Sequence, residues 1–142
     1  MSSTRAELMR QLLDVNGGIL TVNSQIRELE GQLGEIEDAQ TELSEIISTA
    51  DENKVVLDLL DCEDLHFWRG SNQTLRATDY NECQRMMTIF TGRLDTWEVE
   101  LAAAHSRISL ELAGQRFTLG QLTVSRDRIN DSLRDSRRNS SN

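Results

Sequence analysis

Proline is missing from this 142-residue sequence, and aromatic residues make up only 4% of it. Because proline interrupts helix interiors, its absence favours long uninterrupted helices. Few aromatic residues, together with 27% charged residues, fit a narrow apolar seam between helices better than a thick globular core. The composition therefore predicts an all-α chain, and its length is enough for one domain.

Long apolar runs are also missing. The longest local candidate, residues 55–60, is far shorter than the roughly 20 residues needed to span a bilayer. Residues 1–7 lack the charged-then-apolar pattern of a secretory leader. We therefore expect synthesis in the cytoplasm, no stable membrane insertion, and any export by a route that reads no cleaved leader.

The charge is negative overall and unevenly placed. A net charge of −9 makes nucleic acid an unsuitable partner. Residues 28–64 hold 13 acids and one base, whereas residues 116–138 hold six arginines and three aspartates. The acidic stretch has two interpretations, a solvated face or a docking surface for a basic partner.

Side chains for chemistry are few and scattered. Cys62 and Cys83 lie on either side of the presumed turn, where free thiols are the main expectation and a disulfide the alternative. The acids and His66 within residues 61–66 match no zinc or calcium spacing, and His105 is distant in sequence. No glycine-rich phosphate loop is present. We expect no catalytic residue, no metal and no cofactor, and therefore not an enzyme.

Apolar residues recur at alternating spacings of four and three, which is the heptad pattern of a coiled coil. The seam of the first helix is Leu8, Leu12, Val15, Ile19, Val22, Ile26, Leu29, Leu33, Ile36, Gln40, Leu43, Ile47 and Ala50. The seam of the second is Cys83, Met87, Phe90, Leu94, Trp97, Leu101, Ala104 and Ile108, followed after an extra four-residue step by Leu112, Gln115, Leu119, Leu122, Arg126, Ile129 and Leu133. Such a step is a stutter, which locally unwinds the supercoil.

The two seams predict a single helical hairpin over residues 1–142, with two long antiparallel helices. We expect helix one at about 4–62, a turn at about 63–78, helix two from 72 or 79 to 136, and a frayed tail over 134–142. The later start rests on Asp79 and Glu82, which read as a capping box. Val15 should face Leu122. The glycine pair at 17–18 marks either close approach of the other helix or a bend.

Other apolar residues lie off the seam and gather towards the turn. We predict a surface there for partner binding or self-association, and the alternative is a local thickening of the core. The candidate interface is Ile46, Val55, Val56, Leu59, Leu60, Phe67, Trp68, Met86 and Ile89. The expected partner is a helical protein, a second copy of the chain, or both.

The turn carries Trp68 and Gly70 as a W-x-G tripeptide between the two helices. A leaderless chain of this plan resembles the WxG-motif helical hairpins of type VII secretion, and its length is most similar to the small accessory partners of LXG-type toxins. The resemblance implies pairing with a second hairpin or a toxin's helical N-terminal domain, and Trp68 and Gly70 as part of an export signal. The family's aromatic–acid motif after the second helix is missing, since Phe117 is followed four residues later by Gln121.

Two other functions fit the same helices. One is a prefoldin-like holdase chaperone, in which residues 65–68 and 73–76 would form a β-hairpin. The other is a purely structural coiled-coil assembly protein.

Overall fold

A computed structural model describes residues 4–64 and 71–140, with side chains described for 4–58 and 78–139. The described chain forms two helices, α1 (Arg5–Asp64) and α2 (Ser71–Ser140), which pack against each other, and it contains no strand. The predicted all-α class and helix pair are therefore confirmed. The W-x-G tripeptide at 68–70 lies outside the described residues. No stretch of the described helices is apolar enough over a sufficient length to cross a membrane.

The N-terminus of α1 is closed by a capping box that the sequence analysis missed. The Glu7 backbone N–H donates to Thr4 Oγ1 at 3.2 Å, and the Thr4 backbone N–H donates to Glu7 Oε2 at 3.4 Å. These two bonds satisfy amide groups that have no partner within the first helical turn. The cap explains why α1 begins directly after Thr4.

Helix α2 begins within one residue of the earlier of the two expected starts, 72, and continues past the expected end at 136. Since it starts at Ser71, the Asp79–Glu82 pair lies inside the helix and does not cap it. Residues 73–76 are helical, so the β-hairpin required by the prefoldin-like alternative does not form. The helix continues through Ser140, where a frayed tail was expected. Arg137 and Arg138 lie in the last turn, where cations interact favourably with the helix dipole.

The chain divides into two compact units. The terminal unit comprises Met1–Gly34 and Ser106–Asn142, and the middle unit comprises Glu35–His105. Each contains one segment of α1 and one of α2. The single hairpin domain expected over residues 1–142 stays a prediction.

The terminal unit is built on the predicted seam. Val22, Ile26 and Leu112 form its buried cluster. Leu29, Leu33, Leu119 and Leu122 pack against this cluster. Ile108 and Leu112 are both buried, so the seam continues across the stutter. A Cβ at Gly18 would lie 3.4 Å from Leu122 Cδ1, whereas one at Gly17 would meet nothing within 4 Å. Close approach of α2 at Gly18 therefore explains one of the two glycines.

Cross-helix pairs give the direction and register of the terminal unit. Gly18 faces Leu122, and Glu30 Oε1 lies 3.2 Å from Arg116 Nη2, so α1 and α2 run antiparallel. Leu122 was expected opposite Val15. Gly18 lies three residues beyond Val15, so this contact is within one helical turn of the expected register.

The middle unit buries Leu43, Ala50 and Leu94, with Ile47 and Leu101 packed against them. Leu94 is only 1% exposed. Leu43 and Leu94 thus lie in the same cluster, as the antiparallel register predicts. His105 Nε2 lies 3.2 Å from Glu37 Oε1, a second cross-helix contact of the antiparallel pair.

Three of the four residues in one row of the predicted α2 seam are wrong in this unit, whereas the fourth, Ala104, is half-buried as expected. Cys83, Phe90 and Trp97 were placed in the seam, but all three are exposed. Gln84 and Thr91 are half-buried instead, one position further along the helix. Both polar groups are satisfied within α2, which makes their partial burial inexpensive. Gln84 Nε2 donates to Tyr80 Oη at 2.8 Å, and Thr91 Oγ1 donates to the Met87 carbonyl at 3.0 Å.

Candidate partner-binding groove

The predicted interface residues that the structure describes are all exposed. The exposed fraction is 46% for Ile46, 59% for Val55, 56% for Val56, 60% for Met86 and 44% for Ile89. The described part of the chain therefore does not bury these side chains in a thickened core. The side chains of Leu59, Leu60, Phe67 and Trp68, and the backbone of Gly70, lie outside the described parts of the structure.

Two apolar pockets of the middle unit meet at Ile46. One is lined by Ile46, Ala50, Met87 and Phe90, and the other by Ala39, Leu43, Ile46, Trp97 and Leu101, each with polar residues at its rim. Since Ile46 belongs to both, we treat them as one open channel between α1 and α2, called the Ile46 groove. Val55, Val56, Met86 and Ile89 do not line it.

Phe90 and Trp97 contribute to the apolar lining of the Ile46 groove because they lie beside the seam and not inside it. Their exposed fractions are 42% and 48%, so each ring is partly in contact with its own unit and partly open. They are seven residues apart on α2, as Ala39 and Ile46 are on α1. Residues seven apart lie on one face of a helix, so each wall of the groove presents two apolar side chains on one face.

The rim of the Ile46 groove is acidic. Glu42, Glu45 and Glu100 line it, and no basic residue does so. Residues 35–105 as a whole hold 16 acids and five bases, a net charge of −11. Open carboxylates beside an apolar channel attract a basic ligand and disfavour an acidic one.

Sequence reasoning missed Phe90 and Trp97 as surface residues because it assigned them to the seam. Their size was an available clue. Two aromatic side chains one heptad apart are larger than the residues of the buried cluster, Leu43, Ala50 and Leu94, and overpacking a core is destabilising.

None of the polar side chains that the structure describes is buried. Cys83 is a free, exposed thiol. Among the residues that the structure describes, no three His, Cys, Asp or Glu side chains gather where a metal could bind. The acids and His66 of residues 61–66, singled out from the sequence, lie beyond the described side chains.

One exposed ion pair has shifted titration. The hydrogen bond from Arg85 Nη2 to Glu82 Oε1, at 2.6 Å, lowers the pKa of Glu82 below its ordinary value, and the charge of Arg85 adds to this effect. The same contact raises the pKa of Arg85. Both groups are open to solvent three residues apart on one helix, so this is a local surface pair, and neither residue lines the Ile46 groove.

No protein-family model, no curated protein and no solved structure matches this chain.

Proposed function

We propose that the chain is a non-enzymatic helical adaptor that binds a helical protein partner in the Ile46 groove. The observation that carries the proposal is the exposure of Ile46, Phe90 and Trp97 along one apolar channel. Two helices bury one stripe each, and these side chains lie outside that stripe. A third helix laid along the channel would remove them from water, and burying such side chains is the main source of affinity in helix-in-groove recognition.

The partner's chemistry follows from the groove. Its apolar walls have seven-residue spacing, which an amphipathic helix with heptad-spaced anchors can match. Its carboxylate rim favours lysine or arginine beside those anchors. The predicted occupant is therefore an amphipathic helix with a basic edge.

The resemblance to WxG-motif hairpins gives this binding a biological setting. In that setting the partner is a second hairpin or the helical N-terminal domain of an LXG-type toxin, and the complex is delivered folded to a type VII secretion apparatus. Two packed helices with the tripeptide between them support this assignment.

The first test uses site-specific photocrosslinking in the native host. A photoreactive side chain at position 46 should form a covalent adduct with a helical protein, identifiable by mass spectrometry. The same side chain at position 99 is the control, because Val99 is 69% exposed in the same unit but does not line the groove. Trp97→Ala should weaken binding of the identified partner by about tenfold or more, as loss of an aromatic anchor does. Equal crosslinking at 46 and 99, or unchanged binding by Trp97→Ala, would contradict the groove as the site.

The secretion setting has its own readout. Trp68→Ala should leave the helical content almost unchanged while reducing export of the partner. If export continues at the parental rate with the complex intact, the tripeptide has no role in targeting. The adaptor function in the Ile46 groove would then stand apart from type VII secretion.

A further inference from the structure

The terminal unit carries an apolar row that the proposed adaptor function does not use. Leu110, Phe117 and Val124 are spaced by seven residues on α2, and their exposed fractions are 75%, 68% and 50%. In the same segment the seam consists of other residues, such as Ile108, Leu112 and Leu119. Helix α2 therefore has two apolar faces here, and only one of them is packed. We call the open one the Phe117 row.

Glycines lie beside this row where the chain itself does not need them. Gly114 and Gly120 flank Phe117, and a Cβ at either position would meet nothing within 4 Å. Glycine lowers helix propensity, and nothing inside the unit requires its small size at these two positions. Small residues beside a large anchor allow the backbone of another helix to come close.

The charge around the Phe117 row is positive. Residues 107–128 contain four arginines and two acids. Arg107 and Arg128 flank the row at its two ends, and Arg128 lines the shallow pocket beside Phe117 and Val124. Arg116 lies 3.2 Å from Glu30, and Arg126 lies 3.3 Å from Asp127, so these two arginines are already paired within the chain. The basic edge of the row therefore consists of Arg107 and Arg128, with Glu111 as the remaining acid. The surface is therefore an exposed heptad row on a helix with a basic edge.

These features are the ones that the Ile46 groove requires of an occupant. The row matches the seven-residue spacing of the groove walls, and its arginines match the carboxylates of Glu42, Glu45 and Glu100. Pairing of the row with itself is less favourable, since antiparallel packing about Phe117 would place arginine next to arginine at both ends. We propose that, in the free protein, a second copy of the chain occupies the Ile46 groove with its Phe117 row. This inference rests on the proposed function of the groove as a docking site.

The self-complex has a functional consequence. A second copy covers the apolar groove while no other partner is present, and a helical partner with greater affinity displaces it. Binding of the partner and self-association are therefore competitive. Part of the attraction between copies is electrostatic, so self-association weakens as ionic strength rises.

The experiment measures molar mass by sedimentation equilibrium, with reductant present to keep Cys83 reduced. The parental chain should show a concentration-dependent mass above that of the monomer. Phe117→Glu and Ile46→Glu should each weaken self-association by at least about tenfold, because each places a charge at the centre of one surface. The matched controls are Leu20→Glu in the terminal unit and Val99→Glu in the middle unit. Both native side chains are 69% exposed and lie outside the two surfaces, so these variants should behave as the parent.

Mixing the two defective variants is the decisive step. Phe117→Glu retains an intact groove and Ile46→Glu retains an intact row, so an equimolar mixture should recover one of the contacts and associate. Circular dichroism establishes that each variant is as helical as the parent. Failure of the mixture to associate, or a defect in Phe117→Glu without one in Ile46→Glu, would overturn the row-in-groove contact. A chain that is monomeric at every concentration would also overturn it.

Failure of self-association does not remove the adaptor function. A monomeric chain that still crosslinks a partner from position 46 retains the proposed function and loses only this inference. A self-associating chain that crosslinks only to itself at position 46, with no other protein found there, supports the inference and contradicts the adaptor.

Discussion

The terminal and middle units are cut from the same two helices, but their charges differ sharply. Residues 35–105 carry a net charge of −11, whereas the terminal unit, with ten bases and eight acids, carries +2. Both units pack through a heptad seam, so the seam does not account for this difference. It arises on the outer faces, which contribute little to holding the helix pair together. The comparison shows that helix packing and surface charge are determined by different faces of the same helix.

The units also differ in how faithfully the seam follows the apolar pattern. In the terminal unit the seam of α2 consists of the positions that the periodicity predicts, through Leu112, Leu119 and Leu122. In the middle unit Phe90 and Trp97 are exposed although the pattern places them in the seam, and Thr91 is half-buried. The surface of the middle unit therefore carries two aromatic side chains, and its helix interface contains a polar threonine.

The largest expected effect is on the free energy of unfolding, and it tests whether the two units open separately. Leu94→Ala in the middle unit and Leu112→Ala in the terminal unit each remove a buried side chain, at 1% and 4% exposure. Each should lower the free energy of unfolding by about 2–5 kcal/mol. Hydrogen exchange should show faster opening mainly in the unit that carries the substitution. Uniform acceleration along the whole chain by either variant would mean that the units open together.

A smaller effect should separate two neighbouring glycines of the terminal unit. Gly18→Leu adds atoms where Leu122 already lies 3.4 Å from the Cβ position, so overpacking should cost about 1–3 kcal/mol. Gly17→Leu meets open space and replaces glycine with a good helix former, so it should stabilise the chain by up to about 1 kcal/mol. Urea denaturation of both variants checks the sign of each change. Destabilisation by Gly17→Leu would place a second close contact at that glycine.

The smallest expected effect concerns the cap of α1. Thr4→Ala removes the side-chain acceptor for the Glu7 amide and should cost about 1 kcal/mol. Thr4→Ser is the matched control, since serine retains the hydroxyl and should leave the free energy of unfolding nearly unchanged. Amide exchange should increase over the first turn of α1 and stay constant in the middle unit. A response in the middle unit would show coupling between the two units through α1.

Much of the fold was accessible from the sequence. All thirteen predicted seam positions of α1 between Leu8 and Ala50 are buried or half-buried, because on that helix apolar residues occur at the inward positions with little ambiguity. The stutter after Ile108 was also visible, since four-residue steps can be read directly from the spacing.

The error in α2 arises from a limit of periodicity. Positions 83, 87, 90 and 94 and positions 84, 87, 91 and 94 both alternate steps of four and three, so polarity alone had to decide between them. Polarity favoured the row with Phe90, because the sequence does not reveal that the Thr91 hydroxyl donates a hydrogen bond to the Met87 carbonyl. The groove could not be predicted, because it depends on Phe90 and Trp97 lying outside the seam. The exposure of the described off-seam residues agrees with their positions in the pattern; these residues are Ile46, Val55, Val56, Met86 and Ile89.

The antiparallel seam has a consequence for how the chain can change length in evolution. Removing one residue from a helix turns everything beyond it by about 100°, which would carry an inward row to the surface. Removing seven residues restores nearly the same orientation, but the facing helix must lose a matching heptad to keep its partners. Insertions and deletions within either unit should therefore be tolerated in paired steps of seven, one on each side of the turn, or in four-residue steps like the stutter after Ile108, so that length varies in discrete increments.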